Sequence, residues 1–320
     1  MTDRAFEPRG VIPACLMPFD ADMNVDERAW RTHLEDIASV EGIAAIAING
    51  HSAEVHALTV AEQERAVIVA GEVLGARHVP VIAGVYTESS LAAGRMATYA
   101  QKHGARGLLV FPPSVMTLGG HMRPEMIKTH LQHITDNSDL PIVLFQFPLV
   151  SNLSYPLATL LELCRKFRTI RAVKDQIGDG NLHEQQIREL HALDTPVNVL
   201  TTHSSWLLGS LALGCDGVLS GAGSVIADLQ VALFRAVEAN NLSAARAIND
   251  RIYPTVRAFY DPPLVDMHNR MKEALVILGR MQAAHVRPPL VKPTSQEIAK
   301  IGRMMKAAGL TATTVYRNAA

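Results

Sequence analysis

The sequence predicts an α/β fold, a (β/α)8 TIM barrel with a C-terminal helical extension. Short runs rich in Val and Ile recur before residue 225, and longer amphipathic stretches separate them, which is the texture of buried parallel strands alternating with helices. Beyond residue 225 helical patterns continue with no strand between them. A chain of 320 residues that is 48% hydrophobic and 19% charged can bury a large core. About eight strand–helix units before residue 225 match the usual barrel length of roughly 250 residues.

Taken in order, residues 11–17 read as the first strand, and residues 26–39 follow as a helix whose apolar positions fall at helical spacing. Further strands are expected at 43–48, 80–84, 108–111, 141–145, 170–174, 197–201 and 217–220. Residues 228–239, 243–259, 265–281 and 295–308 read as helices, broken by Asp261-Pro262-Pro263 and Arg287-Pro288-Pro289, because proline removes a donor and restricts the residue before it. The expected division is 1–225, a barrel carrying the active site, and 226–320, the last barrel helix with a helical bundle.

A net charge of −1 and a pI near 6.9 supply no electrostatic footprint for nucleic acid or an anionic membrane. Cys15, Cys164 and Cys215 form no CxxC pair and sit in apolar runs, so they read as core rather than as a zinc cluster or disulfide framework. The start MTDRAFEPRG has neither the basic nor the apolar part of a signal peptide, and no run reaches the roughly 20 apolar residues of a membrane span. A cytoplasmic location is expected. His130 with His133, and His51 with His56, lack a third ligand at zinc spacing, so no metal is expected. Gly119-Gly120 lacks the spacing of a phosphate-binding loop. The small residues Ser220-Gly221-Ala222-Gly223-Ser224 suit close backbone approach to an anionic substrate group.

In such a barrel the chemistry sits at the C-terminal ends of the strands, and Lys174 ends Arg171-Ala172-Val173-Lys174. An amine among apolar neighbours is destabilised as a cation, which makes its neutral, nucleophilic form accessible near pH 7. It can then attack a carbonyl, and the resulting iminium withdraws electrons from the adjacent carbon without metal or cofactor. The same position also suits a solvent-facing lysine paired with Asp175 or Asp179.

Val173-Lys174-Asp175 with Gly178-Asp179-Gly180-Asn181 resembles the lysine segment of the dihydrodipicolinate synthase and N-acetylneuraminate lyase family. Gly50-His51-Ser52-Ala53-Glu54 with Leu58-Thr59 resembles its loop after the second strand. Pro80 to Val85, Phe145-Gln146-Phe147-Pro148 and Gly217-Val218-Leu219-Ser220 resemble its third strand, its "Y-N-x-P" segment and its eighth strand. Lys272, Gly279 and Arg287-Pro288-Pro289-Leu290 resemble its C-terminal part. The resemblance spans about residues 9 to 305. It implies a barrel with a helical bundle, a Schiff-base lysine at Lys174, no cofactor, a 2-oxo acid such as pyruvate or a keto-deoxy sugar acid as partner, and a homotetramer built from dimers. It also implies that Ser52 and nearby amides hold the substrate carboxylate, whereas Glu54 reads as a loop-ordering carboxylate.

The departures matter as much. Phe145 stands where the family has its proton-shuttling tyrosine, and phenylalanine has no ionisable group. The second tyrosine of that relay maps near Pro113 or Ser114, and it too is missing. Leu149-Val150-Ser151-Asn152 lacks the arginine that holds the carboxylate of the synthase's aldehyde substrate. His51 and His203 are candidates for the proton transfer that the tyrosines would perform, since imidazole titrates near neutrality. Gly50, Phe145, Gln146, Gln176, Thr202, Leu219, Ser220 and Gly221 complete the expected substrate-binding set, with Asp175 and Ser204 placed beside it. The expected activity is a Schiff-base lyase on a 2-oxo acid, either a dehydratase of a 2-keto-3-deoxy acid or a pyruvate aldolase. A 2-oxo acid binding barrel with little turnover is the alternative.

Overall fold

The computed structural model describes residues 6–312. Its eight strands are β1 (Gly10–Pro13), β2 (Ile46–Ile48), β3 (Val81–Val85), β4 (Gly107–Val110), β5 (Ile142–Gln146), β6 (Ile170–Asp175), β7 (Asn198–Thr201) and β8 (Gly217–Ser220). From β2 to β8 neighbours in sequence pair in parallel, and β8 pairs with β1. The seam between β1 and β2 is closed by two parallel bridges, Val11 with Ile43 and Ala14 with Ala47. The first two strands are therefore shorter than the apolar runs that predict them. Apolar character extends through Met17 because the chain stays buried there, not because the ladder continues.

Closure of a barrel requires close backbone approach where the last strand meets the first. A side chain at Gly217 would place its Cβ 2.1 Å from the carbonyl oxygen of Gly10, so only glycine fits β8 against β1 there. Successive strand residues point to opposite faces. Ile12, Ile82, Leu109, Val143, Ala172 and Leu200 fill the barrel interior, together with Phe145 and Leu219. The intervening residues, such as Val11, Val173, Val199 and Val218, join the larger core between the sheet and the helices.

The barrel helices are α1 (Glu27–Ala38), α2 (Val60–Gly75), α3 (Ser90–Lys102), α4 (Pro124–Thr135), α5 (Leu157–Lys166), α6 (Gly180–His191), α7 (Leu207–Ala212) and α8 (Gly223–Glu238). The chain continues through α9 (Leu242–Phe259), α10 (Met267–Ile277) and α11 (Ser295–Ala307). The helical extension is thus as expected, but the division at 225/226 falls inside α8, which starts at Gly223 and is kinked at Ile226. Residues 1–5 and 313–320 of the expected units lie outside the described residues. The single helix expected over 265–281 is a short 3-10 turn, Leu264–Asp266, followed by α10. No helix among the described residues is long and apolar enough to cross a membrane.

The C-terminal helices grip the loop after β2. Lys272 of α10 donates to the carboxylate of Glu54 and, at 2.7 Å, to the carbonyl of His285. The other Glu54 oxygen accepts the Arg287 backbone N–H at 3.0 Å. Both Lys272 and Glu54 are fully buried, and Phe19 packs under Lys272 and Arg287. The Arg287 guanidinium spans the carbonyls of Met23 and Ala57 and the carboxylate of Glu62. Glu62 also closes a capping box with Thr59 at the start of α2. Removing one partner of a buried ion pair strands the other's charge, at a cost of about 3–5 kcal/mol. Lys272→Met should lower unfolding stability by about that amount in urea titrations, and adding Glu54→Gln should recover part of the loss.

Candidate active site

Lys174 is the penultimate residue of β6 and lies opposite Phe145 of β5 in the parallel register. By the two-residue alternation both point into the barrel, and the Lys174 Nζ sits 4.2 Å from the centre of the Phe145 ring. Lys174 is buried and has no hydrogen bond or ion pair among the described residues. Burial alone pulls its ammonium down to about 7, so near neutral pH a large share of the amine is free base. Neither proposed counter-ion is available to it. Asp175 points the other way, and Asp179 caps α6 by accepting the Leu182 N–H at 2.9 Å.

The aromatic rings that cluster with Phe145 come from the ends of successive strands. His51 follows β2, Tyr86 follows β3, Phe111 follows β4, and Phe145 and Phe147 close β5. The His51 ring centre lies 5.7, 4.9, 5.8 and 5.6 Å from those of Tyr86, Phe111, Phe145 and Phe147. Burial, then the nearby Lys174 and His56, push the His51 imidazolium down to about 3. His51 is therefore neutral at pH 7, a hydrogen-bonding ring rather than a reservoir of protons.

Gly50, His51 and Ser52 start a tight turn in which the Gly50 carbonyl accepts the N–H groups of Ala53 and Val55. Glu54 closes that turn in the left-handed region at φ 52°. The Ser52 hydroxyl is buried and has no protein hydrogen-bond partner. A methyl group at Gly221 would lie 3.3 Å from the Ser52 Cβ, so the loops after β2 and β8 meet at this hydroxyl. Leu219 lines the interior below it. Gln176 and Thr202, the first residues beyond β6 and β7, are half-buried, and their N–H groups donate to the carbonyls of Gln146 and Asp175.

Four of the expected positions do not face this interior, and for three of them the cause is the same. Gln146, Asp175 and Ser220 each follow an inward residue, so they project toward the helices. Gln146 has both ends of its amide bonded to the backbone of Tyr155, at 2.8 Å each. Ser220 bonds to Ser204 at 3.0 Å and to Tyr260 at 3.4 Å. His203 stacks on Trp206, with ring centres 4.6 Å apart, and places its Nε2 3.5 Å from Asp175. The expectation that His203 moves protons at Lys174 is therefore corrected, since it belongs to a cluster behind β6.

In that cluster His183 donates from or accepts at both ring nitrogens, 2.8 Å from Asp175 and 2.8 Å from Ser210. Burial opposes the Asp175 charge, yet hydrogen bonds from His183 and the Ile177 N–H, with the His203 ring beside them, hold its carboxyl below the usual range. Asp175, His183 and His203 bring ligand atoms within 4.8 Å of one another and are the described residues able to hold a metal. The two bonds made by His183 give it a different task, to anchor the strand beside Lys174.

The sequence reading missed Tyr86, Phe111 and Phe147, although each stands at or just past a strand's C-terminal end, where barrel sites are built. It also missed His268 of α10, whose Nε2 lies 3.3 Å from the point where a Gly221 side chain would start.

Comparison with known proteins agrees with this geometry. The Dihydrodipicolinate synthetase family model matches residues 7–308. A 4-hydroxy-tetrahydrodipicolinate synthase of Methanopyrus kandleri is 28% identical over 95% of this chain and 98% of its own. A probable 2-dehydro-3-deoxy-D-pentonate aldolase of Escherichia coli is 23% identical over 94% and 97%. Among solved structures, an E. coli K12 prophage protein of the dihydrodipicolinic acid synthase family, in complex with pyruvate, has a TM-score of 0.86 at 22% identity, covering 94% of this chain and 99% of that one. The Aquifex aeolicus dihydrodipicolinate synthase has a TM-score of 0.82 at 22% identity, with 95% and 99% covered. The barrel, the buried lysine on its sixth strand and a match over nearly the whole chain lead to one conclusion: this chain is a member of the dihydrodipicolinate synthetase family, whose members include lyases of the class I aldolase type.

Proposed function

We propose that the chain is a Schiff-base-forming lyase acting on a 2-oxo acid, as an aldolase or a dehydratase of keto-deoxy acids rather than as a 4-hydroxy-tetrahydrodipicolinate synthase. The observation that carries this reading is the Lys174 amine, buried without a counter-ion and held near 7 by burial. As free base it attacks the ketone carbon of the 2-oxo acid, water leaves, and the iminium makes the C3 proton acidic. Loss of that proton forms an enamine. The enamine then expels a hydroxyl from C4, or it forms after a C3–C4 bond has broken.

The surroundings of Lys174 argue against the synthase reaction. Phe145 presents a ring where a phenol would be needed, and the turn at Leu149–Ser151 offers no cation for an anionic aldehyde. A mouth ringed by His51, Tyr86, Phe111 and Phe147 favours a neutral or apolar distal group. In this reading Ser52 holds the substrate carboxylate and His51 hydrogen-bonds to the reacting oxygen or to water that carries the proton.

Borohydride reduction in the presence of pyruvate should leave a stable adduct that mass mapping places on Lys174, and Lys174→Ala should give none. The lowered Lys174 value also sets a pH profile. Below 7 the amine is ammonium and cannot attack, so the initial trapping rate should rise as pH increases through about 7 and level off above it. A panel of 2-keto-3-deoxy sugar acids, and of aldehydes supplied with pyruvate, separates dehydration from aldol chemistry. His51→Asn should keep adduct formation and lower turnover by at least about a hundredfold, the lower end for general acid–base assistance. Unchanged turnover would remove His51 from the mechanism, and an adduct with no turnover on any substrate would favour the binding-barrel alternative.

A homotetramer is part of the same proposal. Val115, Leu118, Met122 and Val150 are exposed on the loops after β4 and β5, which lie together around one small cavity lined by Met116, Gly120 and Leu153. Clustered apolar residues of this kind mark association surfaces. Light scattering should return the mass of four chains, and a monomer at working concentration would contradict this part of the reading.

A further inference from the structure

His268 lies outside every motif of the barrel, 94 residues past Lys174 in sequence, yet α10 brings it beside Gly221, the first residue past β8. A side chain started at Gly221 would meet its Nε2 at 3.3 Å and the Ser52 Cβ at the same distance. Ser52 and the His268 imidazole, from elements far apart in sequence, thus both border the space on the side-chain face of Gly221. The Ser52 hydroxyl is 3% exposed at its residue and has no protein partner. His268 is half-buried and makes no hydrogen bond or ion pair among the described residues.

Burial first, then His51, Lys174, Lys272 and His56, all disfavour protonation of His268 and push the imidazolium down to about 3. Of these neighbours Lys174 is the amine without a counter-ion among the described residues, and it is positive as ammonium or as the iminium it would form. The carboxylate in this neighbourhood, Glu54, is already committed to Lys272 and the Arg287 N–H. Such a corner suits an anion supplied from outside, and a neutral imidazole is able to donate its N–H to it.

We propose that His268 is a substrate-binding residue contributed by the C-terminal helices, donating from Nε2 to the carboxylate of the 2-oxo acid that Ser52 holds from the other side of Gly221. This rests on the reading of Lys174 as the iminium-forming amine and names a further contact of that same site. It makes α10 part of the binding site as well as the clamp on the loop after β2.

The test is the concentration of ketone that half-saturates borohydride-trapped adduct on Lys174, measured for pyruvate and for acetone, which has no carboxylate. His268→Leu keeps the bulk and loses the donor. A hydrogen bond to a charged group corresponds to roughly a tenfold to hundredfold change, so half-saturating pyruvate should rise at least about tenfold while the value for acetone stays as in the wild type. His268→Gln restores a donor and should return pyruvate to within about threefold. It also serves where the leucine variant is poorly folded. No rise with pyruvate, an equal rise with acetone, or no rescue by glutamine in a folded protein would each overturn the assignment. Failure of the underlying reading looks different: the wild-type protein itself would then yield no adduct on Lys174.

Discussion

The period of two along a strand, imposed on a closed barrel, is the constraint from which the rest of this structure follows. It sends Lys174 inward against Phe145 and Asp175 outward to His183, one residue apart. The inward lysine is left without a counter-ion, and burial sets its basicity. The outward aspartate meets two imidazoles and a backbone N–H and stays charged. A shift of one residue in β6 would exchange these environments, burying the carboxylate among aromatic rings and pairing the amine with histidines.

A second constraint acts on the loop after β2. The turn that presents His51 and Ser52 is not held by the barrel alone, since Glu54, in the left-handed region, reaches across to Lys272 and the backbone of Arg287. Arg287 then ties the same region to the start of α2. Ionic groups so deeply buried contribute little net stability when intact and much when broken. Their use here is positional, because they fix the one turn whose residues face the lysine.

Much of this was legible in the sequence. Each of the eight strands lies on or within one residue of an apolar run that predicted it, because a strand buried on both faces must be apolar throughout. Lys174 was readable as a polar residue at the end of such a run, whereas the turn at Gly50–Glu54 was readable through its resemblance to a family motif. Which face a strand's last residues take was harder to read: Gln146 and Ser220 end β5 and β8 and His203 follows β7, and all three were assigned to the interior because they stand at strand ends, where barrel sites are built. His268 was invisible because nothing local marks it. Its position depends on how α10 packs against α8, α9 and α11, which brings it beside Gly221, a contact between segments that only the folded chain brings together.

The aromatic wall around Lys174 has a consequence for the kind of control this amine is open to. Reactivity set by a neighbouring charge weakens as salt screens it, over a Debye length of about 8 Å at physiological ionic strength. Reactivity set by dehydration does not. An amine whose basicity comes from burial beside Phe145 is insulated from ionic strength and from charge changes on the surface. It is tied instead to how completely its cavity stays dry, so hydration of the pore, rather than electrostatics, is the variable that would tune it.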